Sequence, residues 1–386
     1  MVSNVTDSPL CDVGPAWRHR PDGSSVRQGH PPGCETWPDP GRERTGTGPD
    51  RDGTGIGTGP GSGPDRRGQR DSGTAGQRIG TPTDRRGYGY GRTDVMDEAR
   101  AREVLDAAGL TGGAGSGPGR GAALLALGEN AVFAVGDLVV KIGRDADLLE
   151  RAEREVAVAS WLEETGVPAV RAAEPEPRLV EGHPLTVWHR LPDAVRPPEP
   201  RDLAPLLRRV HALPRPPFPL PPRDLLGGVE RWLRLAGEAI DPADAAFLRE
   251  RRDGFARAAG ALTPHLTPGP VHGDALPRNV HVGPDGPVLV DLETFSADLR
   301  EHDLVVLALS RDRYGLDPAA HDAFTEAYGW DVREWEGCEV LRGARETASC
   351  AWVAQHAPSN PKALVEFRRR VASLRDGDPR VRWYPF

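Results

Sequence analysis

The chain reads as an α+β protein of bilobal form, with a small antiparallel β N-lobe and a larger, mostly helical C-lobe. Three observations predict this. Between residues 122 and 142, short apolar runs alternate with tight-turn residues, the pattern of a β meander. From residue 201 to the C-terminus, apolar side chains recur mostly at helical spacing. Between residues 271 and 291, three more short apolar runs interrupt the helices and frame a dense polar motif. Sheet first and helices after is the order of an α+β chain, not of an alternating one.

Composition sets the outer bounds. The 386 residues carry a net charge of −8 and 38% hydrophobic side chains, which fits a soluble globular protein and speaks against a general nucleic-acid binder. No run of about 18 apolar residues is present, and residues 1–30 hold charge, proline and glycine where a secretory signal would be apolar. The expectation is a cytoplasmic protein with neither a nucleic-acid nor a membrane partner. Cys11, Cys34, Cys338 and Cys350 show no metal-ligand spacing, and the latter two read as packing thiols. Lysine occurs only at Lys141 and Lys362 among 49 basic residues. A chain that uses arginine wherever a positive charge suffices marks a lysine as a place where the planar fork does not serve.

Residues 1–95 are rich in glycine, proline, threonine and arginine, with almost nothing to bury. They are expected to be disordered, with Met96 as an alternative start. Ordered sequence begins there. Residues 96–110 read as a short amphipathic helix ended by Gly109, and Gly112–Gly121 as a connector without phosphate-loop spacing. The runs 122–127, 131–135 and 138–142 are separated by Gly128-Glu129-Asn130 and Gly136-Asp137, both good turn sequences. A helix follows from about Asp145 to Thr165. Its inward stripe of Leu148, Ala152, Ala159 and Leu162 includes Glu155, and a carboxylate on an inward face needs a cation. Lys141, on the third strand, is the cation proposed for it. The run 181–193 reads as the last N-lobe strand and the hinge, so the N-lobe is expected to span 96–190 and the C-lobe 191–386. Helices are expected at 201–214, within 223–262, and at 304–309, 318–328, 340–356 and 362–374.

The motif at 271–291 is VHGDALPRNVHVGPDGPVLVD. A strand ending at Val271 leads into a loop, and Gly283-Pro284-Asp285-Gly286 turns a hairpin whose returning strand ends at Asp291. Asp274, Asn279 and Asp291 converge in such a layout. Phosphoryl transfer needs these types: an aspartate to take or orient the proton of the attacking hydroxyl, and hard oxygen donors for Mg²⁺ on the phosphates. A lysine fixed by a glutamate supplies a point charge for the nucleotide phosphates.

HGDxxPxN followed by an acidic residue after a strand resembles the aminoglycoside phosphotransferase family, with its choline-kinase-like relatives and protein-kinase-like fold. The similarity runs from about residue 98 to the C-terminus, and the closing FRRRVASLRDGDPRVRWYPF resembles actinobacterial members. The resemblance implies Asp274 as catalytic base, Asn279 and Asp291 on Mg²⁺, and Lys141 with Glu155 as the nucleotide-positioning pair. It also places the Gly128–Asn130 turn over the phosphates, which adds Gly128 and Asn130 to the cofactor-binding set. Asp303 is expected to support the catalytic loop near His272, itself a buried orienting residue. Leu276 stands where the family often has a second histidine, and Arg278 where it has glycine, a position from which an arginine reaches a phosphate or an acidic acceptor group. Glu293 is open between the metal and solvent. His281 and His302 receive no role.

The function so implied is an ATP- or GTP-dependent phosphotransferase acting with Mg²⁺ on a small hydroxyl-bearing acceptor. The alternatives are a non-catalytic kinase-like nucleotide-binding scaffold or sensor, and an acidic helical interaction protein. Acceptor choice is expected to rest on residues 223–262 and 334–360, with Trp330, Trp335, Trp352, Glu339 and Glu346 as lining candidates, packing being the first reading for each tryptophan.

Overall fold

Helix α1 (Glu98–Ala107) starts at Asp97, whose carboxylate accepts the Arg100 N–H, and buries Ala101, Val104 and Leu105. It packs with the first sheet, described here from a computed structural model covering residues 96–110 and 121–384. The low-complexity segment 1–95 and the connector's residues 112–120 lie outside the described residues. Strands β1 (Ala123–Leu127), β2 (Asn130–Val135) and β3 (Leu138–Gly143) form the expected antiparallel meander. After helix α2 (Leu149–Glu164), strands β4 (Arg178–Val180) and β5 (His183–His189) complete a five-stranded sheet of order β1-β2-β3-β5-β4.

Side-chain alternation gives this sheet two different faces. Phe133, Val140, Ile142, Leu185 and Val187 are buried in one cluster with α1. Lys141 lies opposite Val132 and Thr186 in the register, and points to the other face with Val132 and Val139, which line a cleft. The period of the strand therefore puts a lone lysine into the cleft.

The larger part contains α3 (Pro200–Ala212), α4 (Val229–Ala236) and α5 (Pro242–Ala259), then a small β region: β6 (Gly269–Val271), β7 (Val280–Gly283), β8 (Gly286–Leu289) and β9 (Ser296–Asp298). β6 pairs antiparallel with β9, and β7 with β8. Helices α6 (Glu301–Arg313), α7 (Pro318–Tyr328), α8 (Cys338–Ala354) and α9 (Pro361–Arg375) close the chain. Leu304–Leu309 of α6 is buried on every side, so that helix forms the centre of the lobe rather than one of its faces. A second cluster joins α4, α5, α8 and α9 through Val229, Leu233, Leu248, Val353, Phe367 and Trp383. Cys338 and Cys350 are buried free thiols within these two clusters.

The boundary near residue 190 does not separate two cores. Val156, Trp161 and Leu162 of α2 share one cluster with Leu207, Leu289, Leu292 and Leu304. Beyond α2, the Val170 N–H donates to Leu289 O and the Leu289 N–H to Pro168 O, which ties the first half to β8. The three-residue strands β4, β6 and β9 are too short to show a period, and of them only β6 is foreshadowed in sequence, by the apolar run ending at Val271.

Phe133, fully buried between the sheet and α1, is a sensitive point. Phe133→Ala should cost about 3–5 kcal/mol in urea unfolding, while Leu179→Ala on exposed β4 should change stability by less than about 0.5 kcal/mol.

Candidate active site

The loop after β6 holds the centre of the motif. Gly273 has φ of +85°, and a Cβ there would lie 2.4 Å from Thr294 O, so only glycine fits. The peptides on both sides of it are held. Asp303, fully buried at the start of α6, accepts the Gly273 N–H (2.8 Å) through one carboxylate oxygen, and the His272 N–H (2.7 Å) and His211 Nε2–H (3.0 Å) through the other. His211 Nδ1 in turn takes the Tyr328 hydroxyl at 2.8 Å. Burial alone would raise the pKa of Asp303, but the hydrogen bonds it accepts from His211 and from the His272 N–H hold it below the usual carboxylate range. On the other side, the Gly273 carbonyl accepts Arg223 Nε (3.1 Å) and Arg345 (2.9 Å).

His272 is fully buried and serves as an orienter: Nε2–H donates to Val290 O (3.1 Å), and Nδ1 faces the Asp274 N–H. Asp274 then enters the cleft. Its Oδ2 accepts Arg278 (2.7 Å) and Asn279 Nδ2 (3.0 Å), while Oδ1, although buried, has no hydrogen-bond partner among the described residues. With the Asn279 amide NH₂ turned to Asp274, its carbonyl oxygen is the atom left for a cation.

Opposite this loop, Lys141 Nζ donates to both oxygens of Glu155 (3.2 and 3.0 Å) and to Glu293 Oε2 (2.6 Å). Glu293 Oε1 also holds Arg151, which reaches on to Glu129 (3.2 Å). Burial would lower the lysine's pKa, yet Glu155, Glu293 and Asp291 outweigh it, so Lys141 is firmly charged. Burial would raise Glu293 too, but Lys141 and Arg151 keep it low. With one oxygen on Lys141 and the other on Arg151, Glu293 is the third arm of the lysine network. Asn130 lines the cleft beside Glu129, whereas exposed Gly128 does not and shapes the turn through its N–H to Asn130 O.

Asp291 follows β8 with φ 62° and ψ 65°, one of two non-glycine residues at positive φ among the described residues. Aspartate tolerates this left-handed geometry better than most residues. The turn starts a helical turn over Leu292–Thr294 and sets Asp291 and Glu293 on the same cleft. Glu155, Asp291 and Glu293 lie within 4.8 Å of one another. Glu155 and Glu293 already bind Lys141, so Asp291 is the carboxylate with charge to spare. Burial, then Glu293, push its pKa up to about 7 against the pull of Lys141. Hard oxygen donors and this excess of negative charge fit a divalent cation at Asn279 and Asp291.

The cleft, about 910 Å³, runs from the sheet and α2 past Asp274 to α4 and α8. Of the acceptor candidates only Trp352 lines it. Trp335 is buried with Nε1 on Thr263 O, Trp330 stacks on His265, Glu346 pairs with Arg313 and Glu339 is exposed. Sequence reasoning missed Arg151, Arg223 and Arg345, which no local pattern marks. It also missed His281, which lines the cleft and binds Pro192 O at 2.8 Å.

The fold is that of solved kinases. The chain is similar to the amicoumacin kinase hAmiN, solved with AMP-PNP, Ca²⁺ and Ami, at 16% identity and a TM-score of 0.56, over 74% of this chain and 95% of that one. It is also similar to aminoglycoside phosphotransferase APH(3'')-Id from Streptomyces rimosus, at 19% identity and a TM-score of 0.50, over 66% and 99% of the two chains. No curated protein sequence matches the chain. Fold and site together define the class as a small-molecule kinase. The chain belongs to the Phosphotransferase enzyme family, which matches residues 123–341. No helix among the described residues is long and apolar enough to cross a membrane.

Asp303 has a pH signature. Its folded pKa is depressed, so its contribution to stability is full above the unfolded carboxylate pKa of about 3.9 and fades as pH falls through the lower folded value. Asp303→Asn should lower stability at pH 7 and flatten the acid limb of the stability profile below about pH 4, read by urea unfolding across pH. Gly273→Ala should destabilise the loop and reduce catalysis while leaving the far-UV circular dichroism unchanged.

Proposed function

We propose that this chain transfers the γ-phosphate of ATP or GTP to a hydroxyl of a small molecule. One observation carries the reading: buried Asp274, which carries an unpartnered carboxylate oxygen, lines the same cleft as the Lys141–Glu155 pair. In this reading Asp274 Oδ1 receives the acceptor hydroxyl and takes its proton as the acceptor oxygen bonds to the γ-phosphorus. The bond from that phosphorus to the β–γ bridging oxygen breaks, and the nucleoside diphosphate leaves with the electron pair. Arg278 and Asn279 fix the second oxygen of Asp274, so the carboxylate is oriented before the acceptor arrives.

Lys141 holds the nucleotide phosphates as a point charge, oriented by Glu155 and Glu293. Asn130, on the turn between β1 and β2, adjoins the same phosphates. Asn279 and Asp291 would hold Mg²⁺, which would supply Lewis-acid neutralisation of the phosphate oxygens. Asp303 and His272 keep the loop in place without touching substrate. The hAmiN structure, which contains a nucleotide analogue and a divalent cation, supports the same use of the cleft here.

Nucleoside diphosphate release by the full chain, with Mg²⁺ and a panel of hydroxyl acceptors, tests this directly. Asp274→Asn should lower kcat by about 10²–10⁴-fold and keep the thermal shift given by Mg²⁺-nucleotide. Lys141→Met should weaken or abolish that shift. Absence of turnover together with absence of Mg²⁺-dependent nucleotide binding would overturn the proposal.

A further inference from the structure

Beyond Asp274, the cleft is walled by the segment before α4, by α4 and by α8, and the phosphate-handling residues do not account for its charge. Arg345 of α8 is only 2% exposed, yet no carboxylate pairs with it among the described residues. One terminal nitrogen donates to Gly273 O, and its buried Nε has no hydrogen-bond partner. Arg223 donates to the same carbonyl. Burial, then Arg223, push the pKa of Arg345 down to about 10 against the opposing pull of Asp274 and Asp303. Desolvating a cation that no carboxylate touches is costly, and an anion docked against it would offset that cost.

The surroundings agree. Arg231 of α4 is exposed, lines the same wall and makes no ion pair among the described residues. Glu346, next to Arg345 in sequence, is turned away and bound to Arg313 (2.6 Å). Apart from Glu129, Glu155, Asp291 and Glu293 at the Lys141 end, the carboxylates along the cleft are Asp224, which accepts the Gly227 N–H, Asp274, held by Arg278, and Asp193 on the segment after β5. A polycationic acceptor would meet three guanidiniums on this wall. Trp232, Trp352 and Leu235, the last 55% exposed, supply apolar surface beside them.

We infer that the acceptor carries an anionic oxyacid group, a carboxylate or a phosphate monoester, which docks on Arg345 with Arg223 and Arg231 while its hydroxyl meets Asp274. The inference rests on the phosphotransfer reading for the hydroxyl, but the anion site stands on the arginines alone. Guanidinium forks match both oxyacids in bidentate geometry. An apolar ring or chain between the two groups would lie along Trp232 and Trp352.

The test uses the full chain with Mg²⁺, ATP for turnover and AMP-PNP for thermal shift. The probes are hydroxy acids and sugar phosphates, each beside its amide or unphosphorylated parent, together with amino alcohols and aminoglycosides. Stabilisation or turnover is expected in the anionic set, and the split between its carboxylates and phosphates identifies the group. In Arg345→Gln and in Arg231→Ala, KM or Kd for the best anionic probe should rise about tenfold or more, with the nucleotide-induced shift retained. Should Arg345→Gln fail to fold, exposed Arg231 carries the comparison. The inference is overturned if a neutral or cationic compound is the best acceptor, if no anionic probe is turned over or stabilises the protein, or if the variants that fold leave KM and Kd unchanged. Anion binding that depends on Arg231 or Arg345 without any diphosphate release would defeat phosphotransfer and leave the anion site standing.

Discussion

The ammonium of Lys141 is the interaction on which the rest of the site depends. It joins β3, α2 and the turn after β8, elements far apart in sequence, through Glu155 and Glu293. Glu155 is buried and Lys141 and Glu293 are largely shielded, so removing one would unbalance charge in a poorly solvated place. That constraint fixes how α2 lies against the sheet and where the Leu292–Thr294 turn stands. It also leaves the local charge unbalanced, because Lys141 and Arg151 face Glu155, Asp291 and Glu293. The excess negative charge on Asp291 is what a divalent cation would relieve.

A second constraint acts on the catalytic loop and is also ionic. Gly273 has an aspartate on its N–H and two arginines on its carbonyl. Charge-assisted hydrogen bonds thus fix both peptide planes that meet at its Cα, and the side chain of the next residue, Asp274, inherits that orientation. The Tyr328–His211–Asp303 series extends the support into α3 and α7. The arginines that steady the loop form no salt bridge among the described residues, so in the proposed reading scaffold and acceptor recognition are linked through one carbonyl.

Much of this was legible in sequence where the signal was local. The meander, the helices and the polar spacing of 271–291 follow from side-chain period and turn residues over short windows. Lys141 stood out because arginine serves almost everywhere else, and Glu155 because it broke an apolar stripe. Glu293 stayed undecided between metal and solvent, since its partners Lys141 and Arg151 lie more than a hundred residues upstream. Arg345 sits in a helix whose period shows only that it faces inward. Trp330 and Trp335 were lining candidates whose first reading was packing, and their rings meet His265 and Thr263 within the fold.

By itself the sequence determined the order of elements, the family and the residue types able to move a phosphoryl group, because backbone period, turns and motif spacing are properties of contiguous residues. The tertiary structure decided which charges neutralise one another. It gave Glu293 to Lys141, Glu346 to Arg313, and no carboxylate to Arg345. Pairing of buried ions depends on which helices and strands meet, and that is settled by packing across distant segments, so no window of sequence contains it.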